Sequence, residues 1–595
     1  VWGANAFTGV VNVLTRAPES AEGASVMLSF SSLDREAGSK AGEGSGAAYS
    51  GATTLSRRIS ESLAYRISGA YSASDPFARP VGTLPLVPHP LQPETLVGGG
   101  ELPADDQEEP GDFRNRGSTQ PHVDLRMDQQ LSDGRIVYGA SIAGTDGIVH
   151  TGVGPFNFER GTYLGHLRAA MTRGLFRAAA TATLFGGKAS NLIAFGADEE
   201  PLRLRAQTRT FDLEANHSRL VGTRHLLTYG GNVRRDLFSI NLAPGAGDRT
   251  EFGAYAQEEF FTGFGEGRRR SEIRVAAGVR VDKFGNIDDP YLSPRLSLIW
   301  KPGPDHSLRV SVNRAFRAPS AMNNYLDTQV LTPVDLAQYF PDLPPELEPA
   351  VEEDFLLEQT ILGNVELSQE RLTSYEIGYV GTVGGRTTLG ISFYVNDTSR
   401  NINFVALPDD ENPYTADDPP PGWELPPSYL DLLAEQGVYF PKVRNQFENL
   451  GPIRHRGVEL LVEHRFGDGV SGYLNYSWQP DPKPRAAEVP FPALEITLPP
   501  RNRVNGGVYW TGKRITGSVS MSYADRAFWV DVLPHDFDGE SPAYTIFNAS
   551  LGFRFAADKI LATLRGANLT NGAVQQHAFG DIQKRALTVE LRFAF

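Results

Sequence analysis

The sequence predicts an all-β chain: a 22-stranded antiparallel transmembrane β-barrel with short turns at one end and long loops at the other. Three observations predict it. Segments of period-two alternation recur along the whole length, as in strands that separate an apolar from a polar environment. The connections between them alternate short and long. No run of eighteen or more apolar residues occurs, so a membrane-spanning form has to be a barrel and not a helix bundle. An apolar fraction of 40% and a mean hydropathy of −0.29 fit such a barrel, whose strands are apolar on one face only.

After residues 1–20, strand-like segments run over 24–34, 46–56, 61–73, 118–131, 134–146, 160–173, 175–188, 204–220, 224–239, 249–262, 271–284, 291–301, 306–316, 371–382, 386–398, 451–466, 470–479, 501–511, 514–525, 543–555, 559–568 and 583–595. Leu292, Leu296, Leu298 and Trp300 share a face opposed by Arg295 and Ser297, and Leu308, Val310 and Val312 oppose Arg309, Ser311 and Asn313. Tyr375, Ile377 and Tyr379 stand against Glu376 and Gly378, and Val458, Leu460 and Val462 against Glu459 and Glu463. In the last segment Leu587, Val589, Leu591, Phe593 and Phe595 lie opposite Thr588, Glu590, Arg592 and Ala594. A one-residue slip there turns Glu590 and Arg592 to lipid, where a basic residue at the midplane costs about 2–4 kcal/mol. Trp300, Trp478, Trp510 and Phe555, near strand ends, suit interfacial girdles.

Every second connection is tight, most of them Gly-rich: Ser-Asp-Gly at 132–134, Arg-Gly at 173–174, Val-Gly-Thr at 221–223, Pro-Gly-Pro-Asp at 302–305, Gly-Gly at 384–385, Gly-Asp-Gly at 467–469 and Gly-Lys at 512–513. The intervening ones are mostly long: 74–117, 147–159, 189–203, 317–370, 399–450, 480–500, 526–542 and 569–582. A barrel with periplasmic turns and extracellular loops sorts its connections in this way, whereas a propeller or sandwich has no reason to.

Composition narrows the function. The absence of cysteine excludes thiolate catalysis and zinc–cysteine sites, and a net charge of −15 argues against nucleic-acid partners. No signal peptide begins at Val1, so the chain is expected to lack its true N-terminus, since an outer-membrane protein must be exported.

Leu292-Ser-Pro-Arg-Leu-Ser-Leu-Ile-Trp300, Leu308-Arg-Val-Ser-Val-Asn-Arg-Ala-Phe-Arg-Ala-Pro-Ser320, Asn364-Val-Glu-Leu-Ser-Gln-Glu-Arg-Leu-Thr-Ser-Tyr-Glu-Ile-Gly378, Arg456-Gly-Val-Glu459 and Asn568-Leu-Thr-Asn571 follow in an order that resembles TonB-dependent outer-membrane receptors. Trp2-Gly-Ala-Asn-Ala-Phe-Thr-Gly-Val-Val-Asn-Val-Leu-Thr15 is similar to the last part of that family's plug. The resemblance implies a plug remnant at 1–20 and a barrel at 21–595, with the bulk of the plug and its TonB-contacting segment expected upstream. It implies import, with no chemistry on the ligand, of a scarce, large molecule such as a ferric siderophore, cobalamin, haem or oligosaccharide. Lacking ATP, an outer membrane needs work delivered by contact with the TonB complex. The partners expected are outer-membrane lipid and lipopolysaccharide, the TonB complex, an extracellular ligand and a partner lipoprotein. The other reading is a non-transporting barrel that serves as a scaffold or docking subunit.

No enzyme and no cofactor are expected. The sequence contains no Gly-x-Ser-x-Gly and no His-Glu-x-x-His. Gly42, Gly44 and Gly46, like Gly152 and Gly154, do not lie between a strand and a helix, so they cradle no phosphate. Eleven histidines are scattered, and neither His89, His535 nor His577 has metal-ligand spacing, so none is assigned a metal. A hydrolase would need a catalytic group assembled from distant strands.

The long loops are acidic. Net charge is −10 over 317–370, −6 over 399–450 and −5 over 74–117, together more negative than the whole chain. This reads as solvated surface facing lipopolysaccharide through divalent cations, or as a rim that attracts cationic or metal-bearing ligands. Tyr325, Tyr339, Phe340, Trp423, Tyr429, Tyr439 and Phe440 are the candidate ligand-stacking residues, and the same rings are suited to pinning loops to one another. Tyr429 to Gln436 is expected to form a short helix over the mouth, approached by the Pro-rich run 418–427.

Overall fold

The computed structural model describes residues 7, 9, 13, 15–37, 42–103, 106–107, 113–151, 154–264, 271–285, 287, 289–341, 343–531 and 535–595. Most of the plug-like stretch 1–14, with Gly152, lies outside the described residues. The barrel strands are β1 (Gly23–Asp34), β2 (Ser45–Ser60), β3 (Leu63–Ser74), β4 (Ser118–Leu131), β5 (Gly134–Thr151), β6 (Gly154–Arg173), β7 (Phe176–Phe195), β8 (Pro201–Val221), β9 (His225–Ile240), β10 (Arg249–Phe264) and β11 (Ser271–Phe284). They continue with β12 (Tyr291–Gly303), β13 (His306–Arg317), β14 (Glu370–Val383), β15 (Thr387–Ser399), β16 (Ile453–Gly467), β17 (Val470–Trp478), β18 (Asn502–Thr511), β19 (Ile515–Ala524), β20 (Tyr544–Phe555), β21 (Ile560–Ala567) and β22 (Ala586–Ala594). Each pairs antiparallel with the next, and β22 pairs with β1 from Ser25 opposite Ala594 to Leu33 opposite Ala586, closing the 22-stranded ring.

Two environments decide which way each side chain points. Leu28, Phe30, Val123, Leu125, Leu296, Leu298, Val310, Ile377 and Val589 are exposed on the outside, although burying a residue of this size is worth about 1.5–3 kcal/mol. A belt of this kind has lipid as its natural solvent. The alternate positions carry ions: Glu590 meets Arg565 at 3.1 Å, and Arg66 meets Asp124 at 3.6 Å. Trp300, Trp510 and Phe555 stand exposed where their strands reach the turn end, as a girdle requires. The tight turns need left-handed backbone, supplied at Gly384 (φ 61°) and Gly385 (φ 67°).

At the loop end β6, β7 and β8 extend for 20, 20 and 21 residues, beyond the segments expected from alternation and roughly twice the 9–11 residues that cross a bilayer. Their ladder continues past the apolar belt, with register shifts between Phe158 and Tyr163 and between Ser190 and Phe195. These extensions and the long connections position the site.

Candidate functional site

The two longest loops fold together. Within them, strands Asp327–Val334 and Phe355–Leu362 form one hairpin, and Asn401–Ala406 and Val443–Leu450 another. The hairpins join in parallel where Thr360 faces Val443. Polar bonds fix the junction: Gln359 donates to the Pro441 carbonyl (3.0 Å), and Asn449 accepts from Ser368 N (2.7 Å) while donating to the Arg400 carbonyl (2.9 Å). At their root the Glu370 carboxylate pairs with Arg317 and accepts from Ile402 N at 2.6 Å. Helix α1 (Ala321–Tyr325) starts from a Ser320–Asn323 capping box, which satisfies otherwise unpaired amides. Helix α2 (Ser428–Glu435) forms where expected over the mouth.

An apolar core lies between these loops: Leu336, Leu357, Leu425, Leu430, Leu433 and Phe440 are buried. Five of the seven candidate aromatics join it. Tyr339 lies edge-on to Phe440 (6.2 Å between ring centres), Phe340 to Tyr429 (5.3 Å) and Trp423 to Phe440 (6.1 Å). Tyr325 ends α1 beside Gly245, and Tyr439 is half-buried next to Phe440. The five rings of the core hold loop to loop, and all seven candidates except Phe440 retain partial exposure. Burial raises the Tyr414 hydroxyl's pKa, and that hydroxyl donates to the Glu358 carbonyl at 2.9 Å.

Elsewhere at the mouth, imidazoles and carboxylates gather from distant loops. His150, at the end of β5, meets Asp531 with Nε2 2.9 Å from Oδ2, and His577 Nε2 lies 3.7 Å from the same oxygen. Phe579 stands edge-on to both imidazoles at 4.9 and 4.6 Å, and Trp529 leans on His577 at 5.1 Å. Burial first, then the neighbouring His150 charge, depresses His577 from 6.5 to about 4, against the pull of Asp531. Asp538 accepts from Asp531 N (2.9 Å) and pairs with His535 Nδ1 (2.8 Å), which raises His535. His89 is fully buried edge-on to Phe528, and burial lowers it. A cavity of about 300 Å³ opens beside Arg79, His150, Leu192, His577, Phe579 and Asp581.

Below the mouth the lumen wall is ionic. Arg280 grips Asp282 and donates to Asn232 (2.7 Å), Arg234 meets Asp212 (3.1 Å), and Arg249 meets Glu251 (2.9 Å) and Asp236 (3.5 Å). Lower still, Arg309, Glu376, Glu459, Asn475, Arg503 and Asn505 line a cavity of about 660 Å³. Near the turn end, the segment entering the lumen is held by Arg66 on the Arg16 carbonyl (3.0 Å), Arg126 on Thr15 (2.9 Å to Oγ1) and Gln130 on Glu19 (3.3 Å). Threonine hydroxyls meet imidazoles at Thr387–His464 and Thr183–His166, and neither of these imidazoles has a carboxylate partner among the described residues.

Sequence reasoning missed His150 and Asp531 and left His577 unassigned. Their spacing carries no signal, because only the closed barrel brings residues 381 positions apart into contact.

A family model described as "TonB dependent receptor-like, beta-barrel" matches residues 102–571. No curated protein matches the chain. Among solved structures, the siderophore receptor PirA from Pseudomonas aeruginosa aligns with all of this chain and 84% of its own, at 14% identity and a TM-score of 0.62. A mutant ferric enterobactin receptor, PfeA, from the same organism aligns with all of this chain and 83% of its own, at 14% identity and 0.68. The FrpB iron transporter from Neisseria meningitidis aligns with 97% of this chain and 82% of its own, at 13% identity and 0.60. At such identities the likeness is one of fold.

Proposed function

The chain belongs to the TonB-dependent receptor-like β-barrel family, and on that premise we propose that it imports a scarce, large ligand of neutral or positive net charge, a metal chelate in the first instance. The observation that carries this reading is the acidic rim: the three longest loops hold more negative charge than the whole chain. A mouth of one sign concentrates ligands of the other sign and repels its own, with effects on capture that fade as salt rises. Siderophore and iron receptors among the structural neighbours support a chelated metal as cargo.

In this reading residues 1–20 form the end of a plug and residues 21–595 the barrel. The bonds from Arg66, Arg126 and Gln130 to residues 15–19 support that division. The half-exposed Tyr325, Tyr339, Phe340, Trp423, Tyr429 and Tyr439, with Phe440 behind them, offer ring faces to an incoming ligand, and those in the loop core also tie the loops together. The barrel lies in the outer membrane against lipid and lipopolysaccharide, and the TonB complex delivers the work that moves the plug. Uptake of ferric chelates of positive, zero and negative charge tests the proposal. Cationic and neutral chelates should outpace anionic ones at low ionic strength and lose that lead at high salt. Uptake indifferent to both charge and salt overturns it.

A further inference from the structure

The geometry points to a binding site for a divalent transition-metal ion at the extracellular mouth, formed by His150 Nε2, Asp531 Oδ2 and His577 Nε2. The three residues come from three separate parts of the chain, and one donor atom from each lies within 4.8 Å of those of the other two. A hydrogen bond accounts for the 2.9 Å between His150 and Asp531, but not for the 3.7 Å between His577 and the same carboxylate oxygen. Two ligands each about 2.0–2.1 Å from one tetrahedral ion lie roughly 3.3 Å apart. The 2.9 and 3.7 Å contacts to Asp531 lie on either side of that value, so a shift of a few tenths of an ångström in each, with a larger one between the two imidazoles, closes the triad.

The surroundings favour such an ion. The Asp531 side chain is 2% exposed, whereas His150 is 40% exposed and admits solvent. Asp531 is positioned from behind, because its own amide donates to Asp538, which His535 holds in turn. Phe579 and Trp529 pack against the imidazoles and restrict their rotation. Both imidazoles line the 300 Å³ cavity, leaving a fourth coordination position open to water or to a donor atom of an incoming molecule. Two imidazoles and one carboxylate select zinc-, copper-, nickel- or cobalt-type ions over the oxygen-seeking calcium and magnesium.

The site does not depend on the import reading, since it is tested by equilibrium binding to the purified chain in detergent. After chelator treatment, Co²⁺ titration should produce the intense visible bands of a tetrahedral site with one ion per chain, displaced by Zn²⁺ and not by Ca²⁺. His150→Ala and His577→Ala should each weaken binding at least about tenfold, while His464→Ala, at the opposite end of the barrel, leaves it unchanged. Heat-modifiable electrophoretic mobility reports that each variant remains a folded barrel. Binding undiminished in both mouth variants, displacement by Ca²⁺, or no band at saturating Co²⁺ overturns the inference.

Discussion

Arg126 and Asp128, two residues apart on the lumen face of β4, are joined by two 2.7 Å bonds, and the same guanidinium reaches Thr15 of the segment that enters the barrel. The carboxylate is 1% exposed and has a second cation, Arg135, at 3.7 Å. The pair is therefore a clasp, holding the entering segment to the barrel wall.

Arg126→Ala should free residues 15–20 without unfolding the barrel. A hydrogen bond to a charged group is worth about 1.5–3 kcal/mol, so amide exchange in that segment should accelerate roughly tenfold or more. Hydrogen exchange by mass spectrometry measures it, and the β1–β22 seam serves as the unchanged reference.

The faces of β22 make unequal demands. Val589→Arg puts a cation into lipid near the middle of the strand and should cost about 2–4 kcal/mol of stability. Thr588→Arg points into the bore and should cost far less. Urea unfolding in liposomes, followed by tryptophan fluorescence, compares the two.

The loop core should be separable from the rings proposed to meet a ligand. Leu433, 1% exposed, loses about 2–5 kcal/mol on truncation to alanine, enough to release the loops from each other. Limited proteolysis of Leu433→Ala should cut within 331–362 and 408–442 while the barrel survives. Tyr439→Ala should leave the digestion pattern intact and weaken ligand binding.

Two histidines at the mouth should titrate in opposite directions. Unfolded His577 takes its proton near 6.5 and the folded one only near about 4. Its contribution to stability is thus complete above 6.5 and is lost as pH falls through that window. For His535, raised by Asp538, the contribution is complete below 6.5 and fades as pH rises past the raised value. NMR of histidine-labelled protein, assigned with His577→Gln and His535→Gln, should show His577 neutral and His535 charged at pH 6.

Much of the barrel was legible because lipid enforces a simple code. Leu296, Leu298, Val310 and Val312 alternate with ions since one face of their strands meets hydrocarbon, and turn length sorts by end. The loops obey no such code. Val443–Leu450 reads Val-Arg-Asn-Gln-Phe-Glu-Asn-Leu, and its parallel partner lies over eighty residues away, so nothing local announces the strand. The helix at Ser428–Glu435 was legible because its own residues decide it. The aromatic cluster was legible in composition and not in arrangement, and the imidazoles around Asp531 gave no sign, because only the closed ring makes them neighbours.

Ser31 and Thr588, 557 positions apart, share a 2.8 Å hydrogen bond across the pairing that completes the ring. Until that zipper forms, two bare strand edges face the membrane with every other amide and carbonyl unsatisfied, a state hydrocarbon does not tolerate. Insertion is therefore all-or-nothing. Both edges have to stay sheltered from hydrocarbon until this seam closes, and a substitution that weakens it should stall biogenesis before it harms any finished molecule.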